Sequence, residues 1–257
     1  MLGRMSSGSN GGSSVTIMNE PIEQQTAEWY RDYYARKGHD RNNLLTNPGA
    51  LFQHIALQRS VIQALQTLPT DPSWTILDVG CGSGLSLLQF LHLDFLPTRL
   101  HGIELLRDRL AEGKRRLPST GFIRGDASRM GYNSDSFNLV MESTMFIQLR
   151  DDDTTAEIAR EMLRVTKPSG YLLLIDWRYS GGYPEYTALS RTRIARLFEV
   201  GSKTTIHSST RGALVPPVGR FLSARCPSWY FLVQRLAPVL VGQVVTVLQK
   251  IDSPLTL

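Results

Sequence analysis

The central part of the sequence alternates between short apolar runs and single amphipathic stretches. The apolar runs predicted as strands are residues 75–79, 99–104, 121–124, 136–141 and 171–175, and the helices predicted between them are residues 85–93, 107–117 and 153–165. Strands that are separated by helices cannot pair as hairpins, so they must lie parallel, with the helices as crossovers. The sequence therefore predicts an α/β fold with a doubly wound, mostly parallel sheet, whose ligand lies at the carboxyl ends of the strands.

Segments of different character flank this alternation. The first residues are rich in Gly, Ser and Asn and contain no apolar run, so residues 1–19 are predicted to be a disordered head rather than a signal peptide. Two helical patterns in residues 20–72 predict an N-terminal helical cap. Residues 73–257 are interpreted as the main domain with a C-terminal extension. Within the extension we expect a helix over residues 185–198 and strands over residues 204–209 and 243–248.

The positive charge is concentrated in this extension. The whole chain has a net charge of +5, whereas the segment from Arg191 onwards carries nine basic and two acidic residues. Its residues 216–237 combine three prolines with arginines and aromatic side chains. Such a mixture suits peripheral contact with an anionic membrane surface. A solvated face, or a segment that simply packs on the sheet, is an alternative interpretation.

The most informative motif follows the first predicted strand and opens a predicted helix. It reads Leu-Asp-Val-Gly-Cys-Gly-Ser-Gly over residues 77–84. Glycines at alternate positions allow a sharp turn and bring backbone N–H groups close to a ligand. An acid, Glu104, ends the second strand, where a carboxylate can bind both hydroxyls of a ribose. The third glycine comes one residue too early for the dinucleotide pattern, which favours a ligand without a pyrophosphate.

In these residues the sequence resembles the class I S-adenosylmethionine-dependent methyltransferases, over about residues 74–176. The resemblance implies S-adenosylmethionine as the cofactor. It places Asp78 near the amino group of the cofactor and Gly80, Cys81 and Gly82 against its methionine part, with Gly84 at the end of the motif. Glu104 is implied to bind the ribose, and Leu105, Asp126 and Ala127 are implied to surround the adenine. Glu142 is implied to lie between cofactor and acceptor. No metal-ligand cluster is expected.

Methyl transfer needs mainly a well-placed nucleophile, but a hydroxyl acceptor also needs a base. The candidates near strand ends are Asp176, Glu142 and His207. The order of the C-terminal elements resembles methyltransferases found with bacterial surface-polysaccharide genes, which implies a hydroxyl of a glycan or small metabolite, anionic or lipid-linked, as acceptor. The alternatives are N-methylation of an amino sugar or natural product, and a non-catalytic module that binds the cofactor or a membrane.

Two further expectations concern the surroundings of the protein. Its two cysteines, Cys81 and Cys226, form no disulfide framework, which favours the cytoplasm or the inner surface of the membrane. A nucleic-acid partner is not expected, because the basic residues are interleaved with prolines rather than arranged as a stripe. The oligomeric state is left open.

Overall fold

The structure is a computed structural model that describes residues 22–182 and 184–252. The helices are α1 (Ile22–Lys37), α2 (Pro48–Leu65), α3 (Leu85–Leu91), α4 (Arg107–Arg116), α5 (Asp152–Val165), α6 (Arg191–Leu197), α7 (Pro216–Arg225) and α8 (Tyr230–Leu236). The strands are β1 (Ile76–Val79), β2 (Leu100–Glu104), β3 (Gly121–Arg124), β4 (Phe137–Ser143), β5 (Thr166–Trp177), β6 (Thr204–Arg211) and β7 (Gln243–Lys250). The predicted disordered head, residues 1–19, lies outside the described residues.

One seven-stranded sheet connects these elements, in the order β3-β2-β1-β4-β5-β7-β6. Strands β1 to β5 are parallel, and β7 runs antiparallel to both β5 and β6. The prediction of a doubly wound, mostly parallel sheet is confirmed. The strand order reverses at β1, where Val79 lies level with Ile103 of β2 on one side and with Glu142 of β4 on the other. Ligands of such sheets bind at this reversal.

Helices cover both faces of the sheet because each helix has one apolar stripe to bury. On α5, for example, the buried positions are Thr155, Ile158, Ala159, Met162, Leu163 and Val165, a spacing of three and four residues. The layer containing α5 and α6 packs on one face. The layer containing α2, α3 and α4 packs on the other. No helix of the described ranges is long and apolar enough to cross a membrane.

Helix α1 lies across the carboxyl ends of the strands. The guanidinium of Arg109 on α4 lies 4.4 Å from the ring centroid of Tyr30, and Arg36 forms a 3.6 Å ion pair with Glu185 beyond β5. The ring of Trp29 meets the ring of Tyr186 edge-on, 6.3 Å away. These contacts place α1 over the edge of the sheet where the glycine-rich loop lies.

The predicted helix over residues 185–198 is wrong in its first half. Helix α6 begins only at Arg191, and the Ser190 hydroxyl caps it by accepting a hydrogen bond from the Arg193 amide, at 3.2 Å. Before it, the Thr187 amide donates to the Ile147 carbonyl and the Leu189 amide donates to the Trp177 carbonyl. Because these amides bond to other segments, they cannot continue a helix.

Gly102 of β2 illustrates how tightly the sheet and the loop after β1 are packed. A Cβ at this position would lie 2.6 Å from the Cys81 sulfur and 2.8 Å from two ring carbons of Phe122. Both side chains are buried, so we expect Gly102→Ala to lower the free energy of unfolding by about 1–3 kcal/mol. Gly131→Ala is the control, since its Cβ would meet no atom of residues 22–182 and 184–252 within 4 Å. Urea denaturation measures both, and equal losses would contradict the prediction.

Candidate active site

The loop between β1 and α3 makes the tight turn that its glycines predict. Gly80, Gly82 and Gly84 have φ angles of 68°, 55° and 75°. This left-handed region is unfavourable for residues with a β-carbon. The Gly80 and Cys81 amides both donate to the carbonyl of Ile103 at the end of β2, at 2.9 and 3.1 Å. The loop is thereby tied to the neighbouring strand.

Glu104 connects this loop with the end of β2. Its carboxylate accepts a 2.8 Å hydrogen bond from the Gly82 amide and another of 2.8 Å from the Leu106 amide. The side chain is buried. The two sequence stretches that we expected to form one ligand site are therefore in direct contact.

Asp78 is buried below the same loop, with only 1% of its surface exposed. Neither of its carboxylate oxygens has a hydrogen-bond partner among the described residues. Burial, together with the charge of Glu104, raises the pKa of Asp78 well above its ordinary value, and the charge of Arg109 opposes this. A buried carboxylate without a partner is unfavourable unless a ligand supplies one. Asp78 thus fits a ligand that brings a cationic or hydrogen-bond-donating group.

Two side chains cover the loop on its open side. A Cβ at Gly82 would lie 2.5 Å from the Nη2 of Arg109, and a Cβ at Gly80 would lie 2.9 Å from the sulfur of Met145. Both side chains are long and unbranched, so they can move aside for a ligand. Sequence reasoning missed Arg109, because nothing in the pattern of α4 marks it as a site residue.

The residues predicted around an adenine follow β3. The Gly125 amide donates to the Glu104 carbonyl at 3.1 Å, which places this turn beside the end of β2. Asp126 accepts a 2.8 Å hydrogen bond from the Ser128 amide and caps the short 3₁₀ helix that begins at Ala127. The half-buried Leu105 accepts a hydrogen bond at its carbonyl from Arg124. The structure brings all these residues to one edge, and their contact with a cofactor stays a prediction.

Cys81 has a different environment from its neighbours. Its thiol is buried in the core cluster that includes Phe122 and Leu87, and burial raises the pKa of the thiol. The Cys81 sulfur therefore belongs to the core and does not face the cofactor site. For the backbone of Cys81, contact with the cofactor stays a prediction.

Glu142 and Asp176 lie at the ends of β4 and β5 and are almost fully buried. The Glu142 carboxylate accepts hydrogen bonds from the Met145 and Ile175 amides, at 3.0 and 3.1 Å. The Asp176 carboxylate accepts from the Ile147 and Trp177 amides, at 2.8 and 2.7 Å. Both side chains thus hold the loop after β4 against the end of β5.

Burial also changes the acidity of these two carboxyl groups. It raises the pKa of Asp176 to about 7, against the hydrogen bonds from Trp177 and Ile147. Burial and the nearby Asp176 raise the pKa of Glu142 well above its ordinary value. A carboxyl group that titrates near neutrality can act as a base if a substrate reaches it. The role of either residue as a base stays a prediction.

His207 lies away from the site. Strand β6 places it near the level of Leu172, in the middle of β5 rather than at its carboxyl end. Its Nε2 is 2.9 Å from the Thr67 carbonyl, and its ring packs edge-on against Tyr171. The expectation of His207 as the base is therefore corrected, because β6 is the edge strand of the sheet, four strands away from β1 and the glycine-rich loop.

A cavity of about 680 Å³ opens next to the glycine-rich loop, between α2, α3 and α7. It does not include Asp78 or Glu104, but Leu85, the residue after Gly84, forms part of its wall. Its lining is mixed. The apolar part includes Leu44, Leu57, Leu85, Leu88, Leu214 and Tyr230, and the polar part includes Asn47, Gln53, His54, Gln89, His92 and Arg220. Such a cavity can accommodate a molecule with an apolar portion.

Comparison with known proteins is consistent with this geometry. The family model described as a methyltransferase domain matches residues 76–170. The chain is 28% identical over 154 residues to a demethylmenaquinone methyltransferase of Renibacterium salmoninarum, which covers 59% of this chain and 60% of the relative. It is 30% identical over 118 residues to phthiotriol/phenolphthiotriol dimycocerosates methyltransferase 1 of Mycobacterium ulcerans, covering 44% and 41%. The chain thus spans less than two thirds of each of these relatives.

Among solved structures, the fold is similar to that of geranyl diphosphate C-methyltransferase from Streptomyces coelicolor, in complex with Mg²⁺, geranyl diphosphate and S-adenosyl-L-homocysteine. The TM-score is 0.55 at 15% identity, and the likeness covers 75% of this chain and 77% of the other. At this identity the likeness shows the fold alone. From β1 to the start of β5, the chain thus matches the model of a methyltransferase domain, and the relatives to which it is similar are named methyltransferases.

Proposed function

We propose that this protein transfers a methyl group from S-adenosylmethionine to a small lipid-type acceptor. The observation that carries the proposal is Asp78, a buried carboxylate that has no hydrogen-bond partner among the described residues and lies beside Glu104, below a glycine turn. Bound there, the cofactor supplies a methyl group on a sulfonium, which is already electrophilic. The protein then has to hold the cofactor, position the acceptor and exclude water.

The residues of the loop have separate tasks in this proposal. Asp78 would bind the amino group of the cofactor, since its two oxygens accept no hydrogen bond from the part of the chain that the structure describes. Glu104 would bind the ribose hydroxyls. Gly80 and Gly82 lack the β-carbon that would collide with Met145 and Arg109, the side chains that cover the loop. Asp126 and Ala127 would lie along the adenine.

The acceptor class is inferred from the relatives and from the cavity. The two relatives above are named for a menaquinone precursor and for phthiotriol-type lipids, and the solved neighbour was crystallised with geranyl diphosphate. The cavity beside Leu85 offers apolar walls for the chain of such a molecule. We therefore place a lipid-type acceptor before the glycan hydroxyl expected from the C-terminal pattern. If the acceptor atom needs a base, the candidates are Asp176 and Glu142, which lie at the carboxyl ends of β5 and β4.

Labelled S-adenosylmethionine tests the whole proposal. The protein is incubated with the labelled cofactor and, separately, with quinol and lipid extracts, glycan fractions and amino-sugar fractions. Label in the lipid fraction is the expected result. Label in the glycan or amino-sugar fraction would overturn the acceptor class while leaving the methyltransferase activity. Absence of cofactor binding would overturn both and favour a non-catalytic module.

Glu104→Gln is expected to weaken binding of S-adenosylhomocysteine by about 10- to 100-fold. A hydrogen bond to a charged group contributes about 1.5–3 kcal/mol, and 1.4 kcal/mol corresponds to about a factor of ten. Titration calorimetry measures the affinity. Glu157→Gln on α5 is the matched control and should bind as the wild type does. Unchanged affinity of Glu104→Gln would remove Glu104 from the site.

A further inference from the structure

Five large apolar side chains are exposed within residues 221–239 of the C-terminal extension. They form what we call the apolar patch, which consists of Phe221, Trp229, Leu232, Leu236 and Val239. Leu236 is 71% exposed and Val239 is 68% exposed. Exposed apolar side chains that are scattered singly need no explanation, but a group of this kind marks an interaction surface.

The orientation of the apolar patch is fixed by the opposite side of α8. Tyr230 and Gln234, one helical turn apart, are buried. The Tyr230 hydroxyl accepts a 3.3 Å hydrogen bond from the Leu214 amide, and the Gln234 side chain donates to the Gly212 carbonyl. Leu232 and Leu236 have the same spacing but follow by two residues, so they lie on the other face of the helix. Helix α8 cannot turn them inward without breaking these buried contacts.

The stretch of chain that carries the apolar patch has charges of one sign only. The sequence contains no Asp or Glu from residue 200 to residue 251. Arg220, Arg225 and Arg235 are exposed, and none of them forms a salt bridge within the described part of the chain. An apolar surface with exposed arginines beside it in the chain complements a layer with anionic headgroups above hydrocarbon.

We propose that the apolar patch docks this protein on the surface of an anionic lipid bilayer. Leu232, Leu236 and Val239 then enter the boundary between headgroups and acyl chains. Trp229 lies at the headgroup level, where its amphipathic ring is favoured. The exposed arginines meet the lipid phosphates, and the short helix α8 lies in the plane of the membrane.

The cavity next to the glycine-rich loop adjoins this surface. Arg220 contributes to the lining of the cavity, and the next residue, Phe221, belongs to the apolar patch. Docking would therefore present the cavity to the bilayer, from which a lipid-type acceptor could enter. This last step rests on the proposed function, whereas the docking itself does not.

Co-sedimentation with lipid vesicles tests the docking without any methyl transfer. The wild type should sediment with vesicles of phosphatidylglycerol mixed with phosphatidylcholine, and much less with phosphatidylcholine alone. Arg225→Gln and Arg235→Gln should each weaken binding by about fivefold, and the loss should shrink at high salt. The double variant Leu232→Ser/Leu236→Ser should weaken it by at least about tenfold. Circular dichroism checks that each variant is folded.

Two controls separate this proposal from its alternatives. Leu96→Ser, an exposed leucine elsewhere, should leave vesicle binding unchanged. Asp78→Asn should also bind vesicles normally, so that failure of the cofactor site is distinguishable from failure of docking. If the wild type ignores anionic vesicles, or binds both kinds equally, the proposal is overturned. A concentration-dependent dimer that Leu232→Ser/Leu236→Ser dissolves, in the absence of vesicle binding, would instead assign the patch to a second copy of the chain.

Discussion

Replacing Asp78 by Asn is expected to abolish cofactor binding and, at the same time, to make the ligand-free protein more stable. The carboxylate is buried without a hydrogen-bond partner among the described residues and lies close to the negative charge of Glu104. An amide of the same shape removes that charge. Removing the cost of burying that charge contributes about 1–3 kcal/mol. For a chain of this size, that corresponds to a rise in Tm of roughly 2–12 °C.

Two measurements on the same variant decide this prediction. Differential scanning fluorimetry gives the Tm, and titration calorimetry gives the affinity for S-adenosylhomocysteine, which should fall by at least about 100-fold. Asp94→Asn is the matched control. Asp94 is exposed with a φ of 62°, which Asn tolerates well, so neither quantity should change. A variant at position 78 that loses stability together with affinity would show that the carboxylate stabilises the fold instead.

The same carboxyl group predicts how stability depends on pH. Its pKa is raised in the folded protein, so between the unfolded value near 3.8 and the folded value the folded state binds more protons. The free energy of unfolding contributed by Asp78 therefore decreases as the pH rises through that range. Glu142 and Asp176 act in the same direction, so the difference between wild type and Asp78→Asn isolates the contribution of Asp78. A cationic ligand favours the charged carboxylate, and its affinity should increase with pH.

The fold could be predicted because its signals are local. The hydrophobic periodicity over β1 to β5 and the glycines at alternate positions can each be recognised within a short stretch of sequence. The structure has the corresponding helices and strands within a few residues of the predicted bounds, except at the start of β5. The predicted helix before Arg191 failed because the amides of Thr187 and Leu189 bond to distant carbonyls. Ile147 precedes Thr187 by 40 residues, and Trp177 precedes Leu189 by 12 residues. Local helix propensity cannot anticipate hydrogen-bond partners at such separations.

The candidate site shows the same division. Asp78 and Glu104 follow from a motif and a strand end, so the sequence could pair them. His207 was misjudged because alternation identifies a strand but not the level at which the strand joins the sheet. Arg109 and Arg193 gave no signal, since each is recognised only by contacts with residues far away in the chain. The roles of these two arginines depend on which distant segments they contact, and residue type alone does not indicate those contacts.

Replacing Arg193 by Met is expected to lower the free energy of unfolding by about 3 kcal/mol, because charged hydrogen bonds to buried acceptors are lost. Its guanidinium donates to the carbonyls of Phe146, Leu149 and Thr187, at 3.3, 3.2 and 3.0 Å. The side chain is only 7% exposed, so water cannot replace these bonds freely. Met fills a similar volume without donors, which isolates the hydrogen bonds from packing. The expected fall in Tm is roughly 6–12 °C.

Arg196→Met provides the control within the same helix. Arg196 is exposed and pairs with Asp152 at 3.3 Å, so its loss should change the free energy of unfolding by less than about 0.5 kcal/mol. Urea denaturation compares the two variants, and equal effects would contradict the prediction. Arg193 also lies near Asp176 and opposes the rise in the pKa of that carboxyl group. The variant should therefore shift any activity that depends on ionised Asp176 to higher pH, whereas a purely structural role of Arg193 would reduce stability and leave the pH profile in place.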